Sequence, residues 1–161
     1  MAADGYRYGG KSFDCLGRIA PSLRSFVLGA NVALIHSSVR LGPDQQGKAT
    51  NAERPLAGQS PYLANVSLGW QPRGGRVSAF VYYNLFGPRI EEVGIRGFPD
   101  VYARPVHQLD ATVSAELRPG LTLRVVGRNL AWQPAELEQG GYVLRAPQAA
   151  TSVTLRLAWT Y

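Results

Sequence analysis

From Val153 to Tyr161 the chain alternates without a break. Val153, Leu155, Leu157, Trp159 and Tyr161 are apolar or aromatic, and Thr154, Arg156, Ala158 and Thr160 stand between them. A period of two predicts a β-strand with one apolar and one polar face. A helix would put Val153, Arg156, Leu157 and Thr160 on one side, mixing the two kinds. The same period recurs upstream. Phe26, Leu28, Ala30, Val32 and Leu34 share a face of a strand expected over 23–40, and Tyr62, Ala64, Val66, Leu68 and Trp70 share one over 61–70. Val77, Ala79, Val81, Tyr83 and Leu85 do so over 77–86. Leu109, Ala111, Val113, Ala115 and Leu117 belong to a strand over 106–117, and Leu121, Leu123 and Val125 to one over 121–130. Residues 6–16 carry a weaker version, in which Tyr6, Tyr8 and Phe13 are broken by Gly9-Gly10. The expectation is all-β: an antiparallel meander of about six to seven strands.

The connections alternate in length. Short turns are expected near 18–22, 71–76 and 118–120, and long loops over 42–60, 87–105 and 131–147. Outer-membrane β-barrels have short periplasmic turns and longer extracellular loops. With the C-terminus in the periplasm, every connection falls on the matching side. Residues 1–22 then read as a ragged strand remnant and a periplasmic turn, and 23–161 as transmembrane strands of a barrel that is incomplete on its own. Leu117 and Leu121 both point outward, so an odd turn must join them. Arg118-Pro119-Gly120 supplies it, with Gly120 in the left-handed position. In that register Ser114 faces Arg124 and Asp110 faces Arg128, an opposite-charge pair worth roughly 0.2–1 kcal/mol.

Charges and aromatics separate by face. Asp110, Glu116, Arg124, Arg128 and Arg156 all have the inward, lumen-facing parity. A wall in lipid requires this, because Arg or Lys on the lipid face costs about 2–4 kcal/mol near the midplane. Phe26, Trp70, Trp159 and Tyr161 have the outward parity at the periplasmic level, with Tyr62 and Tyr83 toward the outer level. These are the expected interface girdles. The net charge of +6 over 161 residues comes from arginines dispersed singly, with no basic run, which argues against a nucleic-acid partner. The longest near-apolar run, Phe26 to Ile35, contains Asn31 and falls far short of the roughly 18 residues of a transmembrane helix. Cys15 is the single cysteine, so neither an internal disulfide nor a cysteine zinc site is expected. Met1 to Gly5 shows no basic stretch leading into an apolar one, and no secretory signal is read there.

Five stretches resemble the TonB-dependent outer-membrane receptors, in the C-terminal part of their barrel. They are RPLAGQSPYLANVSLGW (Arg54 to Trp70), YNLFGPRIEEVG (Tyr83 to Gly94), PDVYARPVHQLDATVS (Pro99 to Ser114), GRNLAW (Gly127 to Trp132) and VTLRLAWTY (Val153 to Tyr161). They stand in the family's order and cover roughly two-thirds of the chain. The resemblance implies a plug domain inside a large barrel in the outer membrane of a Gram-negative bacterium. It implies uptake of a scarce ligand, such as an iron–siderophore complex, driven through TonB. It also implies that Val153, Leu155, Leu157, Trp159 and Tyr161 form the C-terminal signal read by the barrel assembly machinery. Plug, TonB-contacting segment and first strands are not read in this sequence. The expected role is therefore a wall segment, with TonB engaged only through the plug and with outer-membrane lipid as its surroundings.

The remaining residues carry weaker readings. His36 and His107 lie in or beside different loops and are expected as solvent-exposed loop residues, not metal ligands, since a metal site needs further ligands. Glu91-Glu92 reads as a solvated acidic pair. Ser60 and Ser114 sit in no nucleophile-elbow context. Neither an enzyme nor a cofactor is expected. The competing readings are a small autonomous outer-membrane barrel and, less favoured, a soluble β-barrel binding protein. The latter needs an apolar interior that the charged parity does not supply.

Overall fold

The computed structural model of the protein describes residues 6–13, 23–41 and 49–160. It is all-β, with antiparallel sheets. In chain order the strands are β1 (Tyr6–Phe13), β2 (Phe26–Ile35), β3 (Val39–Arg40), β4 (Glu53–Arg54), β5 (Tyr62–Trp70), β6 (Val77–Phe86) and β7 (Arg89–Glu92). Then come β8 (Val101–Ala103), β9 (Val106–Arg118), β10 (Leu121–Arg128), β11 (Leu137–Gln139), β12 (Tyr142–Arg145) and β13 (Ser152–Trp159). The long strands form one open seven-stranded sheet in the order β1-β2-β5-β6-β9-β10-β13. Gly9-Gly10 does not interrupt β1, which pairs along its full length with β2. The turn expected near 18–22 lies outside the described residues.

Register is what turns six local alternations into one surface. Leu28 pairs with Leu68, Leu68 with Val81, Val81 with Ala111, Ala111 with Gly127 and Gly127 with Val153. The neighbouring rung of that face runs Phe26, Trp70, Ala79, Val113, Val125 and Leu155. A slip of one residue in any pair would reverse that strand's faces, and along these two rungs none does. The odd turn after β9 is absorbed by a bulge. Leu121 pairs with Arg118 but Thr122 with Glu116, and Gly120 takes φ +78°. Pro119-Gly120 is thus the turn proper, and the extra residue sits in the bulge beside it. On the opposite face the ring of Phe80 lies over Gly69, its cross-strand partner, where a β-carbon would otherwise stand. The aromatic covers backbone that glycine leaves bare.

The three long connections are not plain loops, and here the sequence reading needs correction. The strand expected to run to residue 40 breaks after Ile35, and β3 pairs with β4 as a separate ribbon. The other two connections build a second, four-stranded sheet in the order β12-β11-β8-β7. This loop sheet has a core of its own: Ile90 is 1% exposed, and Val101 and Ala103 are buried beside it. Among the described residues, every fully buried side chain lies in this loop region. Asp100, 3% exposed, ties it together, accepting from the Gly94 N–H at 2.7 Å and from Asn51 Nδ2 at 2.8 Å. Gly94 is required at that turn, because any side chain there meets the Phe98 carbonyl. The first connection is laced in by Thr50 Oγ1 donating to Phe98 O at 2.6 Å and by the Gly58 N–H donating to Ile90 O at 2.7 Å. Arg104 joins the second connection to the third, donating to Glu138 at 2.7 Å and Glu136 at 2.8 Å.

Candidate functional site

All five charged residues expected on one face are on one face, confined to β9, β10 and β13. The rung Ser114–Arg124–Arg156 is formed directly by cross-strand pairing, and Arg124 Nε donates to Ser114 Oγ at 3.0 Å. One rung further from the turns lie Thr112, Val126 and Thr154, paired in that order. Beyond that, Arg128 pairs with Ser152. Glu116 stands opposite Thr122 near the turn. A shallow depression of about 260 Å³ sits among Thr112, Arg124, Val126, Arg128, Thr154 and Arg156.

One expected partnership is not made. Asp110 does not form an ion pair with Arg128. Its Oδ1 accepts from the backbone N–H of Asn129 at 2.9 Å and its Oδ2 from Gln108 Nε2 at 2.9 Å. The cause is local. Asn129, just past the end of β10 and in a left-handed conformation, φ +53°, presents its N–H to the carboxylate. The same Asn129 donates through Nδ2 to Ala150 O and accepts from Thr151 Oγ1 at 2.8 Å, while Trp132 Nε1 donates to Ala149 O at 2.7 Å. Asn129 and Trp132 therefore fasten the third connection to the start of β13. Nothing in the periodicity pointed to this role, although both residues lie in the GRNLAW stretch.

Of the aromatics expected at two levels, Phe26, Trp70 and Trp159 lie at one end of the apolar face and Tyr62 at the other. Phe26 pairs with Trp70 at the short-turn end, and Leu121 with Trp159. Tyr62 stands at the loop end, paired with Leu34, whereas Tyr83 pairs with Val66, in the middle of β5. Tyr161 lies outside the described residues. Val153, Leu155, Leu157 and Trp159 point out along the free edge strand, 66–70% exposed. His107 is not the exposed loop residue it was expected to be. It belongs to β9, is half-buried, and its Nδ1 shares a hydrogen bond of 2.5 Å with the Tyr83 hydroxyl. His36 is exposed. Glu91 forms an exposed ion pair with Arg89 at 3.1 Å. Ser60 is buried and donates to Gly87 O at 2.9 Å. Cys15 lies outside the described residues. Among those residues no three His, Cys, Asp or Glu side chains converge as metal ligands would.

Comparison of the chain with protein-family models, with curated proteins and with solved structures finds no match.

Proposed function

We propose that this chain is a wall segment of a large outer-membrane β-barrel, with the TonB-dependent receptors as the family it resembles. One observation carries the reading: the apolar positions of six strands are brought into register as one continuous, uncovered surface. Thirteen large apolar side chains of that face are exposed, among them Leu34, Leu68, Val81, Leu117 and Leu157. Six strands about 4.8 Å apart and roughly eight residues long outline roughly 750 Å². A soluble monomer seldom leaves a contiguous apolar patch of more than a few hundred Å² uncovered.

The dimensions agree with a membrane. A strand of ten residues, as in β2 and β6, is about 33 Å long, and at a tilt of about 40° it rises about 25 Å, the height of a barrel's apolar band. The short turns and the long connections lie at opposite ends of the sheet. In this reading the loop sheet stands outside the cell, and the two free edges, β1 and β13, await the rest of the wall. Ligand uptake would belong to the complete receptor, with its plug.

Face-resolved accessibility tests this. In a cysteine-free background, nitroxide labels placed singly from Gln108 to Val113 are read in lipid vesicles. Labels at Leu109, Ala111 and Val113 should be reached by oxygen, and those at Gln108, Asp110 and Thr112 by a water-soluble nickel complex. Both sets reporting water, or a folded monomer in buffer without detergent, would sink the membrane reading.

A further inference from the structure

We infer that the polar face carries a binding site for a small oxyanion, a phosphate- or carboxylate-bearing solute, cradled by Arg124, Arg128 and Arg156. The site is built from the paired strands β9, β10 and β13 alone, whether or not their other face meets lipid.

The register builds the site. Thr112, Val126 and Thr154 form its floor as one rung, offering two hydroxyl donors. Arg124 and Arg156 stand directly opposite each other on the rung toward the turns, and Arg128 on the rung toward the loops. Positions 124 and 128 are about 13 Å apart along the strand, so the guanidinium groups approach the floor from two ends. Like charges facing each other across strands are unfavourable, and no carboxylate lines this depression to offset them. Asp110, the nearest acid in the register, has an oxygen committed to the Asn129 N–H and another to Gln108. Arg124 donates to Ser114 Oγ. Arg128 and Arg156 have no side-chain hydrogen bond or ion pair among the described residues. The donors left over suit an oxyanion, because guanidinium groups grip phosphate and carboxylate through paired hydrogen bonds. The size fits as well. A volume of about 260 Å³ falls below the roughly 300–1,000 Å³ of pockets for drug-sized molecules and accommodates one such group.

The test uses the full chain folded in detergent micelles, with sheet content read by circular dichroism. Inorganic phosphate is titrated against sodium chloride at matched ionic strength, following the unfolding midpoint and the ³¹P line width. Phosphate should raise the midpoint saturably and broaden the line, while chloride produces only weak screening. Arg156→Gln should raise the midpoint in phosphate-free, low-salt buffer, because it relieves the Arg124 repulsion. The same change should weaken phosphate binding about tenfold or more, roughly the loss of one charge-assisted hydrogen bond. Arg128→Gln, opposite Ser152, should likewise weaken phosphate binding. Arg145→Gln, on the loop sheet, should change neither. Equal responses to phosphate and chloride would overturn the inference, as would unaltered phosphate binding in the folded Arg128→Gln chain. If Arg156→Gln does not fold, Arg128→Gln decides alone.

Discussion

The two sheets of this molecule solve the burial problem in opposite ways. The four-stranded loop sheet is small, yet it encloses Ile90, Val101 and Ala103 and satisfies a buried carboxylate, Asp100, from two directions. The seven-stranded sheet is far larger and buries no side chain to that degree among the described residues. Its order comes from ladder hydrogen bonds and register, and its apolar face is left for its surroundings to cover. Size therefore does not predict which part is self-sufficient. Burying apolar side chains requires a second layer, and only the loop region brings one of its own.

The contrast can be broken first at the loop core. Ile90→Ala should cost about 2–5 kcal/mol through lost burial and a cavity. The loss should be local, with amide hydrogen exchange accelerating in β7, β8 and β11 while β5 and β6 keep their protection. Equal acceleration in both sheets would show that they unfold as one unit. Next comes the apolar face. Val66→Arg, at the centre of β5, should destabilise the chain in lipid vesicles by about 2–4 kcal/mol, whereas Ser78→Arg on the polar face should stay within about 0.5 kcal/mol. Urea titration of the two variants separates them, and equal costs would argue against one face meeting lipid.

A smaller effect is expected at the buried carboxylate. Asp100→Ala leaves the Gly94 N–H without its acceptor, at about 1–3 kcal/mol, and should loosen the 89–103 segment in the same exchange experiment. Asp100→Asn, which keeps one acceptor, should recover part of the protection. The smallest effect concerns the β3–β4 ribbon. Hydrogen bonds from Arg40, then Ser38, together with the Arg40 charge, hold the Glu53 carboxyl below its ordinary value. A depressed carboxyl stabilises the folded form above its unfolded value, about 4.3, and that contribution fades as pH falls through the lower folded value. Ribbon amides should lose protection only in acid, and Glu53→Gln should remove that dependence. Because the ribbon is solvent-exposed, the change should be confined to its own amides.

The long strands were legible because each contains enough residues to display its period. β5 and β6 match the expected spans 61–70 and 77–86 almost residue for residue, and the Ser114–Arg124 pairing follows from one turn length. The loop strands were not legible, since two to four residues are too few to show any alternation. Asp110 shows the same boundary at a single side chain. Parity placed it on the charged face, but its partners are the backbone N–H of Asn129, just past the end of β10, and the Gln108 amide, which parity cannot see. His107 likewise was expected to be exposed at the loop end of its strand, and only pairing put it across from Leu85 and beside Tyr83, half-buried.

By itself, the sequence determined that this protein is all-β, where its long strands run, and which side of each is apolar. Those properties follow from the geometry of one extended chain, in which neighbouring side chains point to opposite sides. The tertiary structure alone decided that the long connections pair with one another, as β8 does with β11, and that Asp100 is buried among them. It also decided that three arginines from two strands share one depression. Those outcomes depend on groups far apart in the chain meeting in space, and a local period carries no record of such meetings.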